Sequence, residues 1–255
     1  MGAGHAHVLY RPGRTVLHRL PGETKIIGCV GYTIAVVATP REAVAAFAGH
    51  VVLAAVICAI AAVPPGWLLR RSLIETPFIL LAVLLPFTGG GRHTEWLGLT
   101  VSVDGSWAAW NIIVKATLGV WASLLLAATT DVSGLLAGLH RLRCPGVVTQ
   151  IATFMVRYVT VFADEAGRMR VARLSRGDDP RFLWQLRGFA TGVGALFLRA
   201  YERGERVYVA MLSRGYTGAL PLAADRPAAT PRQWTAGAIL PAAAAAIATT
   251  AILAR

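Results

Sequence analysis

The sequence predicts an all-α, polytopic helical membrane protein with about five spans and a set of amphipathic helices on the cytoplasmic side. Three observations carry that expectation. Of 255 residues, 55% are apolar and 15% charged, whereas soluble domains are usually about one-quarter charged. Mean hydropathy is +0.56, and several long runs are almost free of charge. The arginines crowd into one segment, residues 131–232.

Each element follows from local sequence. Residues 1–25 form a basic arm, with Arg11, Arg14, Arg19 and Lys25 against Glu23. Residues 26–39 are apolar and stop at Pro40; fourteen residues is short against the roughly 20 that cross hydrocarbon, and tilt, local thinning or Lys25 snorkelling are the ways to close the gap. Residues 43–63 make a fuller span, broken by Pro64, Pro65 and Gly66, and Trp67, Arg70 and Arg71 mark an interface. Residues 73–87 are a third apolar run, interrupted by Glu75, Pro77 and Pro86. A loop over 88–106 holds Arg92, Glu95 and Asp104. Residues 107–130 form the next span; Lys115 inside it is costly in lipid and is expected to face protein or an edge. Residues 233–254 form the last span, bent at Pro241.

Between 131 and 232 two apolar stretches allow two placements. Residues 147–163 contain Arg157, and residues 188–198 lie between Arg187 and Arg199. They either cross as a pair or lie as amphipathic helices against the inner leaflet or the spans; the arginines and the short second run favour the latter. The organisation is therefore an arm with spans over 1–130, a cytoplasmic helical region over 131–232, and a last span over 233–255. With five spans and the N-terminus inside, every basic segment falls in the cytoplasm, as the positive-inside rule requires. That rule also accounts for the net charge of +12 without nucleic acid, which needs a soluble basic face.

Chemistry-bearing residues are sparse. Lys25 and Lys115 are the two lysines, and neither follows a glycine loop before Ser or Thr, so no Walker A site exists. Cys29, Cys58 and Cys144 form no CxxC pair and no disulfide framework. The start, MGAGHAHVLYRPGR, has no compact apolar core, so no cleaved signal peptide is expected. His5 and His7 form an HxH in a polar tail; His18, His50 and His93 stand alone. The acids Asp164, Glu165, Asp178, Asp179, Glu202 and Glu205 accompany arginines as solvated pairs, such as Glu202 with Arg206. Gly134 with Gly138, and Gly188 with Gly192, have the GxxxG spacing that permits close helix approach. No metal, cofactor or catalytic set is expected, which counts against a membrane enzyme.

One pattern rises above this background. Residues 168–177 read RMRVARLSRG and residues 206–215 read RVYVAMLSRG. Ser175–Arg176–Gly177 matches Ser213–Arg214–Gly215. Glycine after a basic residue suits a helix C-terminus, where arginine opposes the negative helix end. Capping alone does not call for the same four residues twice. Two equal plugs imply two equal sockets, as a symmetric pair of partners offers, and arginine's planar fork suits a carboxylate-lined one.

These residues resemble the T component of energy-coupling factor (ECF) transporters. Residues 18–25, HRLPGETK, are similar to the family's His…Pro…Lys approach to the first span. Residues 135–165 resemble its Leu-rich helix, Pro turn and Arg-Tyr helix, and AMLSRGYTG at 210–218 is similar to the cobalt-type, CbiQ-like branch. The chain departs in having Ser-Arg-Gly where many members have Ala-Arg-Gly. The resemblance implies coupling helices whose Arg176 and Arg214, flanked by Ser175, Gly177, Ser213 and Gly215, insert into two cytoplasmic ABC ATPases. It implies a substrate-binding membrane subunit, CbiM-like and with or without a CbiN-like companion, that binds the metal, and a place in the inner (plasma) membrane. ATP hydrolysis would belong to the partners. The alternatives are a nickel or vitamin (biotin) importer of the same type, or a stand-alone permease.

Overall fold

A computed structural model describes residues 9–88, 90, 93–96, 99–177, 186–218 and 227–254. His5, His7, Arg92, Asp178 and Asp179 lie outside the described residues, as do the side chains of His93, Glu95 and Arg187. The chain divides into two compact units, one of Leu9–Leu139 with Pro227–Arg255 and one containing His140–Arg226.

The first unit is helical: α1 (Val16–Arg19), α2 (Gly22–Ala38), α3 (Val44–Ile60), α4 (Pro65–Ser72), α5 (Thr76–Thr88), α6 (Val103–Thr129), α7 (Val132–Arg141) and α10 (Pro231–Leu253). The second holds α8 (Gly146–Ser175) and α9 (Leu186–Leu212). The architecture is the all-α membrane type that the sequence predicts. Among the described residues three helices are long and apolar enough to cross a bilayer: α6, α8 and α10. Helix α8 reaches that length because the apolar run 147–163 continues unbroken into the charged stretch 164–175.

Two stretches expected to be irregular are ordered. The second apolar run does break before Pro64, with α3 ending at Ile60, but residues 65–72 form a helix instead of a loop, because Pro65 sits at the first helical position, where its missing N–H costs nothing. Within the 88–106 loop, His93–Trp96 pairs antiparallel with Leu99–Ser102. Helix α6 then begins at Val103, four residues before Trp107, because the Ser102 hydroxyl accepts the Gly105 N–H at 3.1 Å. Helix α10 starts with a full capping box, Thr230 with Gln233.

Small residues set how closely the membrane helices approach, as expected where lipid gives no hydrophobic drive to association. A Cβ on Gly31 of α2 would lie 2.7 Å from Pro241 Cβ of α10, and one on Gly237 would lie 2.9 Å from Thr24 Cβ. Gly105 of α6 would meet the Leu85 carbonyl of α5 at 2.5 Å. The 134/138 glycine pair acts as its spacing suggested. Helix α2 begins on it, with Gly22 against the Gly134 carbonyl and a Gly138 Cβ 2.7 Å from the Glu23 nitrogen. Gly192 shows no such contact; the Arg173 guanidinium, at 3.5 Å, is what its Cβ would meet. Above these contacts sit two apolar cores, one around Tyr32, Phe47 and Leu118 and one around Cys58, Leu68 and Leu125.

Polar groups inside the bundle tie helix ends together. Lys25 does not snorkel outward: its Nζ donates to the Thr129 carbonyl at 2.8 Å and to Thr130 Oγ1 at 3.2 Å, joining α2 to the end of α6. Lys115 donates to the Val37 carbonyl at 2.8 Å, so it serves the unpaired C-terminus of α2 and faces protein. His18 Nδ1 lies 2.7 Å from Thr15 Oγ1, and its Nε2 lies 3.0 Å from the Arg11 carbonyl oxygen. Buried His50 meets Thr39 Oγ1 at 3.1 Å and receives the Tyr32 hydroxyl on its carbonyl.

Gly138→Val is expected to destabilise the chain by about 1–3 kcal/mol, because the new side chain meets backbone that cannot yield. Gly119→Ala, where nothing lies within 4 Å of the added Cβ, is expected to be neutral or stabilising by up to about 1 kcal/mol. Thermal unfolding of both variants in detergent checks the contrast.

Candidate functional site

The repeated sequence yields repeated geometry. Helix α8 ends at Ser175; the Arg176 N–H donates to the Arg173 carbonyl and the Gly177 N–H to the Leu174 carbonyl, each at 3.0 Å. At the second site the Arg214 N–H donates to the Met211 carbonyl and the Gly215 N–H to the Leu212 carbonyl, again at 3.0 Å. Tyr216 N–H returns to the Met211 carbonyl, completing a Schellman closure. Gly177 has φ +80° and Gly215 φ +82°. No atom lies within 4 Å of a Cβ at either glycine, so the left-handed backbone, not crowding, requires them. Ser175 Oγ donates to the Ala172 carbonyl at 2.9 Å, and Ser213 Oγ to the matching Ala210 carbonyl at 3.0 Å. Both arginines are exposed, and among the described residues neither guanidinium meets a hydrogen-bond or ion-pair partner.

The two tips are not brought together. Helices α8 and α9 pack against one another, and three contacts fix their register. Arg173 approaches Gly192, Glu165 binds Arg199, and Gln150 receives the Tyr216 hydroxyl at 2.8 Å while donating to the Gly218 carbonyl at 3.1 Å. As positions on α8 fall from 173 to 150, their partners rise from 192 to 218, so the helices run antiparallel. Arg176 therefore stands at one end of the pair and Arg214 near the other, beside Gln150. Along α8 that register spans on the order of 40 Å, at about 1.5 Å per residue.

Glu165 is the central fastener. It accepts from Arg168 Nη2 at 2.5 Å within α8 and from Arg199 across to α9. These two hydrogen-bonded guanidiniums hold its carboxyl below the usual range, so the clasp is present at neutral pH and is lost only as pH falls below that range. Glu202 and Arg206 pair at i,i+4 as the sequence suggested, 3.8 Å apart and well exposed, with little energetic weight. Tyr201 donates to Glu205, which pushes the phenol up. Both helices also show apolar side chains to the outside, including Ile151, Met155, Phe197 and Tyr208.

The sequence marked the tips but not the fasteners. Gln150 carried no signal, and Glu165 read as one of many solvated acids. The Arg-Tyr and Tyr-Thr-Gly stretches near them were visible only as resemblance. Among the described residues no group of three or more His, Cys, Asp or Glu side chains gathers as a metal site.

Comparison with known proteins agrees with this anatomy. The CbiQ family model, described as a cobalt transport protein, matches residues 13–223. A fused cobalt transport protein CbiMQ of Methanocorpusculum labreanum is 27% identical over 226 residues, 84% of this chain and 37% of the relative. The cobalt transport protein CbiQ of Rhodobacter capsulatus is 33% identical over 135 residues, 52% of this chain and 55% of the relative. The energy-coupling factor transporter transmembrane protein EcfT of Acidaminococcus fermentans is 27% identical over 223 residues, 82% of each chain. The match thus spans about half or less of the first two relatives and most of the third. With two like-built helix tips inside the matched region, the chain belongs to the CbiQ family of cobalt transport proteins.

Proposed function

We propose that this chain is the membrane-embedded energy-coupling (T) subunit of an ECF-type ABC importer, passing ATPase motion to a substrate-binding membrane subunit, with cobalt as cargo. The observation that carries the reading is the pair of similarly capped arginine tips at opposite ends of one antiparallel helix pair. A lone socket needs one tip. Two copies of one ATPase present two equal sockets some distance apart, and this pair offers one plug to each. Arg176 and Arg214 dock; Gly177 and Gly215 stop the helix so that the guanidinium projects; Ser175 and Ser213 keep the last turn closed.

ATP hydrolysis belongs to the two cytoplasmic partners, since this chain carries no Walker A sequence. A relative whose name joins CbiM to CbiQ in one chain supports a CbiM-like membrane partner, with a CbiN-like subunit as a further companion. The chain sits in the inner membrane with its N-terminus and both tips in the cytoplasm, as the arginine distribution favours. Cobalt is preferred to nickel or a vitamin on the family description, while relatives named EcfT favour the broader T-component role.

Motion follows from rigidity. Helices do not shorten, so when the two ATPases close, the distance between sockets changes and α8 and α9 must slide or scissor. The work comes from the differential affinity of the ATPases for their nucleotide states. Chain continuity through α7 and through the segment before α10 carries the displacement to the membrane helices.

Arg176→Ala and Arg214→Ala are each expected to weaken capture of the cognate ATPase by about 2–5 kcal/mol, with the double variant worse, because a socket carboxylate loses its partner. Co-purification from membranes measures this, and unchanged capture and uptake in the double variant would overturn the docking role. Glu165→Gln is expected to leave ATPase capture intact but to lower metal uptake several-fold, because it loosens the joint and spares the plugs. Uptake by this chain alone in liposomes would favour a stand-alone permease instead.

A further inference from the structure

An elongated groove of about 350 Å³ opens on the side of the first unit, between α1, α2, α3, α6 and α10. Its volume falls in the range of ligand clefts, about 300–1,000 Å³. Its wall is hydrocarbon with few exceptions, and the polar side chains that reach it already have partners within the protein. Thr24 donates to the Pro21 carbonyl, Tyr32 to the His50 carbonyl, Thr129 to the Leu125 carbonyl, and Lys25 to Thr129 and Thr130. A polar guest would be stripped of water and receive nothing in return. The lips are apolar and exposed: Val16 is 71% accessible, Ile239 68% and Val56 48%. The groove follows α2 from Thr24 to Tyr32, a rise of on the order of 12 Å.

The chain segment at one end of the groove is basic. Val16 and Leu17 of α1 and the adjoining Leu20 line the groove, and Arg14 and Arg19 flank them in sequence. Both arginines are exposed and, among the described residues, lack a carboxylate partner. Trp67, packed on the same core cluster as the groove residues Leu17 and Ile57, lies beneath Arg11 at 6.0 Å and Arg71 at 5.4 Å. A tryptophan among arginines is the signature of headgroup depth. The nearby acid, Glu23, is buried and turned toward the segment before α10, where it accepts the Ala229 N–H.

We infer that this groove holds one acyl chain of an anionic phospholipid, with its phosphate on Arg14 and Arg19. The hydrocarbon wall selects the chain and the basic end selects the headgroup, so the lipid belongs to the leaflet that faces the basic arm. This site is independent of the two arginine tips.

The test uses the full chain in nanodiscs of equal phosphatidylglycerol and phosphatidylcholine, released into detergent and weighed by native mass spectrometry. The wild-type chain is expected to retain one phosphatidylglycerol in clear preference to phosphatidylcholine. Arg14→Glu and Arg19→Glu are each expected to lower that preference roughly fivefold. Val56→Trp, which fills the groove from its exposed lip, is expected to release the lipid while far-ultraviolet circular dichroism stays unchanged. Equal retention of the two lipids by the wild-type chain would overturn the inference, whatever the variants do. So would lipid retention in Val56→Trp at the wild-type level, or a second copy of the chain or another membrane subunit cross-linked into the groove from Val56.

Discussion

Antiparallel pairing of α8 with α9 is the constraint on which the two arginine tips depend. A parallel pair with the same caps would set Arg176 beside Arg214, and two like charges would compete for one surface. Running the helices in opposite directions separates them by most of a helix length and turns a duplicated motif into a two-ended rod. Three modest contacts hold that register, at Gln150, Glu165 and Arg173. None is a dense apolar core, and both helices keep large side chains on the outside. The joint is held by hydrogen bonds and one carboxylate clasp at fixed positions along the pair.

The membrane unit is built the opposite way. Its closest contacts are made at glycines, against backbone at Gly22, Gly105 and Gly138 and against the Cβ atoms of Pro241 and Thr24 at Gly31 and Gly237, where an added side chain has no room. Its few polar side chains close helix ends instead of opening a path: Lys25 on α6, Lys115 on α2, and Glu23 on the segment leading into α10. Tight packing with satisfied ends describes a body that moves as one piece.

Much of this was legible in sequence, for identifiable reasons. Long uncharged runs leave few choices for α2, α3, α6 and α10, and the duplicated Leu-Ser-Arg-Gly announced both caps because glycine and chain stop are coupled through φ. Pro64, Pro65 and Gly66 mark a true break after α3, but they hide the start of α4, because proline at a first helical position starts a helix as readily as it ends one. The ribbon at 93–102 escaped because four-residue strands carry almost no periodicity. Snorkelling of Lys25 is one of three ways the short first run could be completed, but a lysine at a helix start finds a nearer acceptor in the last carbonyls of a neighbouring helix. The antiparallel register was invisible: it rests on pairings such as Gln150 with Tyr216, 66 residues apart, between residue types common on any surface.

The inward-turned hydroxyls of Ser175 and Ser213 have a consequence for variation among relatives. Each spends its proton on a carbonyl one turn back, so it offers a neighbouring molecule no free hydroxyl donor. In that respect such a serine behaves as the alanine it replaces would. Drift between the two residues at these positions is therefore nearly silent, whereas drift at the adjoining glycine is barred by backbone geometry and drift at the arginine would change the message itself.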